Sequence, residues 1–198
     1  MTGLVLLAAG ASTRLGEPKQ ALAYQGETLL QRAMQAALTS ACQPVVVVLG
    51  ANSPKLLPQL EGLPVKVALN PAWEEGMASS IRCGLSKLLE LMPEASGVVF
   101  MVCDQPYVEA SLLNSLIQVK QERSKKIVAS AYQETVGTPA LFDKTYFPEL
   151  LALQGQEGAK KVLFRHKEDV ASVGFPAGAV DIDTKEDYTS LLRSVPGS

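Results

Sequence analysis

The residues best suited to handling a polyanion lie near the N-terminus of this 198-residue chain. A short apolar run, Leu4-Val-Leu-Leu-Ala-Ala, breaks at Gly10 into a loop carrying the hydroxyls of Ser12 and Thr13 and the cations Arg14 and Lys19. Small residues let phosphates approach a tight loop, and its backbone N–H groups then point at phosphate oxygens. Arginine offers a fork of donors and lysine a point charge. Two familiar phosphate loops do not fit. Five residues separate Gly10 from Gly16, and Gln20 rather than Ser or Thr follows Lys19, so this is not a Walker loop. Position 12 is serine, which breaks the dinucleotide fingerprint.

Carboxylates supply the complementary chemistry. Asp104 follows the apolar run that ends Val102-Cys103, where it either holds a cation or caps the next turn ahead of Pro106. The stretch Asp181-Ile-Asp183 alternates, which predicts a short strand aiming both carboxylates to one face, where one of them would be a second metal ligand. Asp183 or Thr184 also suits a helix cap, and Thr184 with Asp187 has capping-box spacing. A third polar segment runs Asn70-Pro-Ala-Trp73-Glu-Glu-Gly76-Met77-Ala-Ser79-Ser80. It combines backbone freedom at Gly76 with the hydroxyls of Ser79 and Ser80 at a helix start, a place for an anion or a sugar. Trp73 reads as a packing residue.

These side chains need a frame. Apolar runs predict strands over 3–9, 44–50, 65–69, 97–103 and 126–132. Helical spacing predicts helices over 28–40, from Ser53-Pro54, and over 77–91 and 109–122. Alternation of the two predicts an α/β fold of three layers, α/β/α, around a mostly parallel, Rossmann-like sheet, whose ligands bind at the carboxyl ends of the strands. Beyond residue 133 the pattern is irregular: a loop plus a short strand over 135–142, helices over 143–153 and 158–166, a weak strand over 170–174 and a final helix over 184–193. The tail Pro196-Gly-Ser is expected to fray. One domain spans 1–198, with 1–133 expected to bind nucleotide and 134–198 an acceptor.

Composition narrows the partners. A net charge of −2 gives no basic stripe for nucleic acid. No apolar run approaches the ~20 residues of a membrane span, and no basic segment precedes an apolar one as in a signal peptide. Cys42, Cys83 and Cys103 are isolated and odd in number, which points to a reducing, cytoplasmic setting. His166 is the only histidine, so Ser–His or Cys–His chemistry has little to draw on.

Five motifs in order resemble one family. Leu7-Ala-Ala-Gly-x-Ser-x-Arg-x-Gly-x-x-Lys19 is similar to the signature loop of nucleotidyltransferases related to the molybdenum cofactor guanylyl- and cytidylyltransferases. Asn70-Pro-x-Trp-x-x-Gly-Met-x-x-Ser80 and Cys103-Asp-Gln-Pro106 resemble the cytidylyl branch, and Gly137-Thr-Pro-Ala-Leu-Phe142 and Asp181-Ile-Asp-Thr184 continue the match. The resemblance implies a fold like that of nucleotide-diphospho-sugar transferases. It also implies transfer of a nucleoside monophosphate from a triphosphate to a phosphorylated acceptor, with release of pyrophosphate.

In the most similar branch the acceptor is molybdopterin carrying molybdenum and the product is molybdopterin cytosine dinucleotide, passed on by transient contact with a molybdoenzyme. Carried onto this chain, the backbone of Ala8, Ala9 and Gly10 would read the base. Arg14 and Lys19 would hold the triphosphate, with Ser12, Asn70, Gly76, Ser79 and Ser80 around the nucleotide. Asp104 and Asp183 would hold Mg²⁺. The guanylyl branch tends to carry glycine where this chain has Ala9, which favours CTP. Family members often carry histidine where Thr138 stands, and Gly-Asp-x-Gly-Ala-Arg where this chain has Gly155-Gln-Glu-Gly-Ala-Lys160. Both segments would touch the acceptor, so the nucleotide half matches and the acceptor half departs. Competing readings are a transferase for another acceptor, such as a sugar or alditol phosphate, and a protein that binds and delivers the cofactor without turnover.

Overall fold

The structure is a computed structural model describing residues 1–193; the tail expected to fray lies outside the described residues. In chain order the elements are β1 (Thr2–Ala8), β2 (Ala23–Tyr24), β3 (Glu27–Thr28), α1 (Leu29–Leu38), β4 (Val45–Leu49), α2 (Ser53–Leu56), β5 (Lys66–Leu69), α3 (Met77–Leu91), β6 (Gly97–Val102), α4 (Ala110–Glu122), β7 (Ile127–Tyr132), β8 (Thr135–Asp143), α5 (Phe147–Leu151), α6 (Ala159–Arg165), β9 (Val170–Gly174) and α7 (Lys185–Arg193). Seven strands form one sheet in the order β5-β4-β1-β6-β8-β7-β9, while β2 and β3 pair in a separate ribbon. Only β8 runs against its neighbours β6 and β7; β1, β4, β5 and β6 pair in parallel, as do β7 and β9. The α/β expectation therefore holds.

Alternating side chains explain the layers. Leu4 and Leu6 of β1 enter one core with Leu30 and Met34 of α1 and Leu113 of α4. Val5 and Leu7 enter the other with Ile81 and Leu85 of α3, Leu150 of α5 and Val162 of α6. Strands buried on both faces read as unbroken apolar runs, which is why they were visible in the sequence. At the N-terminus of α1, Thr28 and Gln31 form a capping box. None of the helices in the described residues is long and apolar enough to cross a membrane.

Three expectations are corrected. Residues 135–142 are not a loop plus a short strand but belong to the nine-residue β8. Gly137 and Pro139 hid it, since both weaken a strand reading; a register shift in β7 between Ala129 and Ser130 accommodates them. The helix expected over 143–153 divides into a 3-10 turn, Lys144–Tyr146, and the short α5. Residues 181–183 are not a strand. Ile182 is fully buried in a small third cluster with Leu15, Leu22, Tyr24, Leu29 and Leu191, and its amide donates to the Asp104 carbonyl at 3.0 Å. That cluster fastens the loop after β1 to the segment before α7.

Candidate functional site

The loop after β1 is braced from within. Gln20, 1% exposed, donates from one amide nitrogen to the carbonyls of Ala8 at 2.9 Å and Gly10 at 3.0 Å. The Ala9 carbonyl accepts from the Ala51 amide at 3.2 Å. Ser12 has a left-handed backbone, φ 57°, and its hydroxyl accepts the Lys19 amide at 3.0 Å. The carbonyls from Ala8 to Gly10 are thus all engaged by the protein itself. What the turn has left to offer a ligand is its amides, the arrangement of an anion-binding nest. Gln20 was missed in the sequence because nothing about its spacing marks a buried amide.

Charge converges where that loop meets β6 and the segment before α7. Lys19 Nζ donates to Asp104 Oδ2 at 2.5 Å and to Asp183 Oδ1 at 2.9 Å, and Arg14 Nη2 donates to Asp183 Oδ2 at 2.9 Å. Burial works to lower the Lys19 pKa, but the Asp104 charge, with hydrogen bonds to both aspartates, overrides it and holds the pKa well above the ordinary lysine value. The hydrogen bond from Lys19, aided by the charges of Lys19 and Arg14, keeps the Asp183 carboxyl below the usual range. Beside them the buried Cys103 thiol is pushed up to about 12, by burial first and then by Asp104. It stays protonated and inert, as a small core residue should.

Two cavities flank Asp104. The first, about 390 Å³, runs from Lys19 and Asp104 past the turn at Ala9 and Gly10 to Ser80, Trp73 and Gln156. The second, about 370 Å³, lies between Asp104, Gln105, Tyr132, Thr138 and Asp181. Asp181 and Asp183 therefore serve different places, one on the second cavity and the other on Lys19. Thr184 and Asp187 form the reciprocal cap of α7: Asp187 N donates to Thr184 Oγ1 at 3.2 Å and Thr184 N to Asp187 Oδ2 at 2.7 Å.

The wall of the first cavity is the segment entering α3. Asn70, 4% exposed, donates to the Ser79 hydroxyl at 2.8 Å and the Ser80 hydroxyl at 3.1 Å, and accepts the Ala72 amide at 3.0 Å. Ser79 donates to the Gly76 carbonyl at 2.8 Å. Asn70 and Ser79 thus stand behind the wall and fix it, while Gly76 and Ser80 line it. Gly76 has φ 111°, and a Cβ there would come within 2.5 Å of the Gly155 carbonyl oxygen. That carbonyl in turn accepts the Ala78 amide at 3.1 Å, capping α3 from a distant part of the chain. The segment 155–160 brings Gln156 to the first cavity, across Asp104 from Thr138 on the second. Trp73 both packs on the core and lines this cavity, so packing is half of its role.

Two carboxylates from separate elements, sharing one cationic centre, form a donor set that suits a divalent ion completing its shell with phosphate oxygens and water. Among the described residues no group of three or more His, Cys, Asp or Glu gathers to hold a metal unaided. A metal here would therefore depend on ligands from the substrate.

Comparison with known proteins places the chain in a family. The sequence matches the MobA-like NTP transferase domain over residues 4–170. It is 30% identical to the purine catabolism protein PucB of Bacillus subtilis, over 96% of both chains. It is 29% identical to nicotine blue oxidoreductase of Paenarthrobacter nicotinovorans, over 95% of both. A probable molybdenum cofactor guanylyltransferase of Bacillus cereus is 30% identical over 96% of both. Among solved structures, Rv0371c of Mycobacterium tuberculosis superposes with a TM-score of 0.81 at 33% identity, covering 98% of this chain and 99% of that one, and it is also known as a complex with manganese. The chain belongs to the MobA-like NTP transferase family and is a nucleotidyltransferase.

Proposed function

We propose that this nucleotidyltransferase is a magnesium-dependent cytidylyltransferase acting on a molybdopterin-type acceptor. The observation that carries this reading is the position of Asp104, held by Lys19 and shared by two cavities of similar size. A transfer reaction needs two substrates to meet at one charged point, and Asp104 is that point. The family alone does not choose the base or the acceptor, because relatives of similar identity carry different names. Cytosine is favoured by Ala9, on the lining of the first cavity, where the guanylyl branch tends to have glycine.

The chain's own residues account for most of the chemistry. Amides of the turn after β1 receive the triphosphate, and Arg14 and Lys19 neutralise it. Asp104 and Asp183 would hold the Mg²⁺, whose contribution is to offset charge on the α-phosphate and on the departing pyrophosphate. The acceptor phosphate oxygen forms a bond to the α-phosphorus as the bond to the β-phosphate bridge breaks. The acceptor is already an anion, so no general base is required, and catalysis is alignment with charge stabilisation. One histidine in the chain is then no obstacle.

The test is a pyrophosphate assay with magnesium, each of the four triphosphates and molybdenum-loaded molybdopterin. Release with CTP, dependent on the acceptor, is the expected result. Release only with GTP would overturn the base assignment, and no release with any nucleotide would overturn the molybdopterin-type acceptor in favour of another phosphorylated acceptor.

A further inference from the structure

The second cavity differs from the first in charge: the first has Lys19 on its lining beside Asp104 and Glu74. The lining of the second carries two carboxylates, Asp104 and Asp181, and among the described residues neither lysine nor arginine. The remaining groups are neutral and polar. Gln105, 6% exposed, donates to the Gly178 carbonyl at 3.2 Å and accepts the Thr138 hydroxyl at 3.4 Å. Tyr132 contributes a ring pressed close to the backbone of β8: a Cβ on Gly137 would come within 2.1 Å of its hydroxyl oxygen. A fixed ring with polar neighbours offers a face for a flat heterocycle.

Such a cavity repels an anion, yet the acceptor of the proposed reaction carries a phosphate. The conflict resolves if the acceptor lies with its phosphate at Asp104, where Lys19 stands, and its other end at Asp181. A carboxylate there needs donors. It pairs most strongly with two parallel N–H groups, as in a guanidinium–carboxylate fork. The 2-amino-4-oxopyrimidine ring of a pterin presents such a pair, an exocyclic amino group beside a ring N–H. We propose that Asp181 reads this edge, so that the second cavity is a subsite for a 2-amino-4-oxo heterocycle. Asp181 then takes no part in holding metal.

This inference rests on the molybdopterin-type reading and is tested apart from it. The probes are 6-methylpterin and 6-methyllumazine, which differ only by amino against oxo at ring position 2. Each is titrated by fluorescence into the intact protein and into Asp181→Asn, which keeps the shape but cannot accept at both oxygens. CTP is titrated separately into both proteins. The expected result is a preference for the pterin of about tenfold or more in the parent protein, lost in Asp181→Asn, with CTP affinity unchanged. Equal binding of the two probes by the parent, a preference retained in Asp181→Asn, or no pterin binding at all would each overturn the subsite. Failure of CTP to bind would instead count against the cytidylyl reading, whatever the pterin titration shows.

Discussion

The two cavities on either side of Asp104 are built to opposite rules. The first is framed by a turn whose carbonyls are already used, and it has Lys19 on its lining. The second gathers carboxylates and neutral hydrogen-bonding groups. Their shared wall, Asp104, belongs to a parallel strand end, where such sheets place their chemistry.

Changes at the shared wall should have the largest effect. Asp104→Asn keeps volume but removes the charge on which both cavities converge, so turnover should fall by about 10³-fold or more. The melting temperature should stay close to that of the parent, because the residue ends a strand rather than filling the core. Near-normal pyrophosphate release would break the idea of a common wall. Lys19→Met comes next. It should lower turnover by about 10²-fold and weaken CTP, while 6-methylpterin binding stays as it was. An equal loss on both sides would erase the distinction between the cavities.

Gln20→Leu should be milder but one-sided. It leaves the Ala8 and Gly10 carbonyls without their donor, at a cost of about 1–3 kcal/mol in stability, and CTP affinity should drop with it. Thermal melts and nucleotide titration read the two effects.

The smallest effect is expected in acid. Asp183 is held below the ordinary carboxylate range by Lys19, so its stabilising contribution is full above the unfolded value near ~3.9 and disappears as pH falls through the lower folded value. Because the side chain is about one third exposed, the loss should be slight. In Lys19→Met that acid-side loss should shrink, which melts between about pH 6 and pH 2 would show.

Much of this arrangement was readable from the residues. The parallel strands were legible because burial on both faces leaves unbroken apolar runs such as Val45-Val-Val-Val-Leu49. Lys19, Arg14, Asp104 and Asp183 stood out by their places in the loop after a buried strand, at a strand end and before a helix, and the structure brings them into one network. Tertiary facts were not. Nothing local reveals that Gln20 turns inward, or that Gly155 caps a helix begun at Met77. The alternation at 181–183 was real but misread. It arises because Ile182 is an anchor in a satellite cluster, not because the segment is a strand, and so the two aspartates part instead of pairing. Asn70 and Ser79 looked like ligands because polar residues at a helix start so often are; here they satisfy one another.

The reversal of β8 has a consequence for how the protein could diversify. Because β8 alone runs backward, its first residues and the tight connection from β7 lie at the same end of the sheet as the carboxyl ends of the parallel strands. The turn at Gln133 and Glu134, with Gln133 at φ 52°, therefore sits beside the second cavity, outside the strand pairing that holds the sheet together. Hairpin turns tolerate exchange and insertion better than any other part of a sheet. A lineage can in this way replace the rim of the second cavity while inheriting the loop after β1 untouched, and a protein engineer seeking to reshape that cavity has a two-residue window in which to begin.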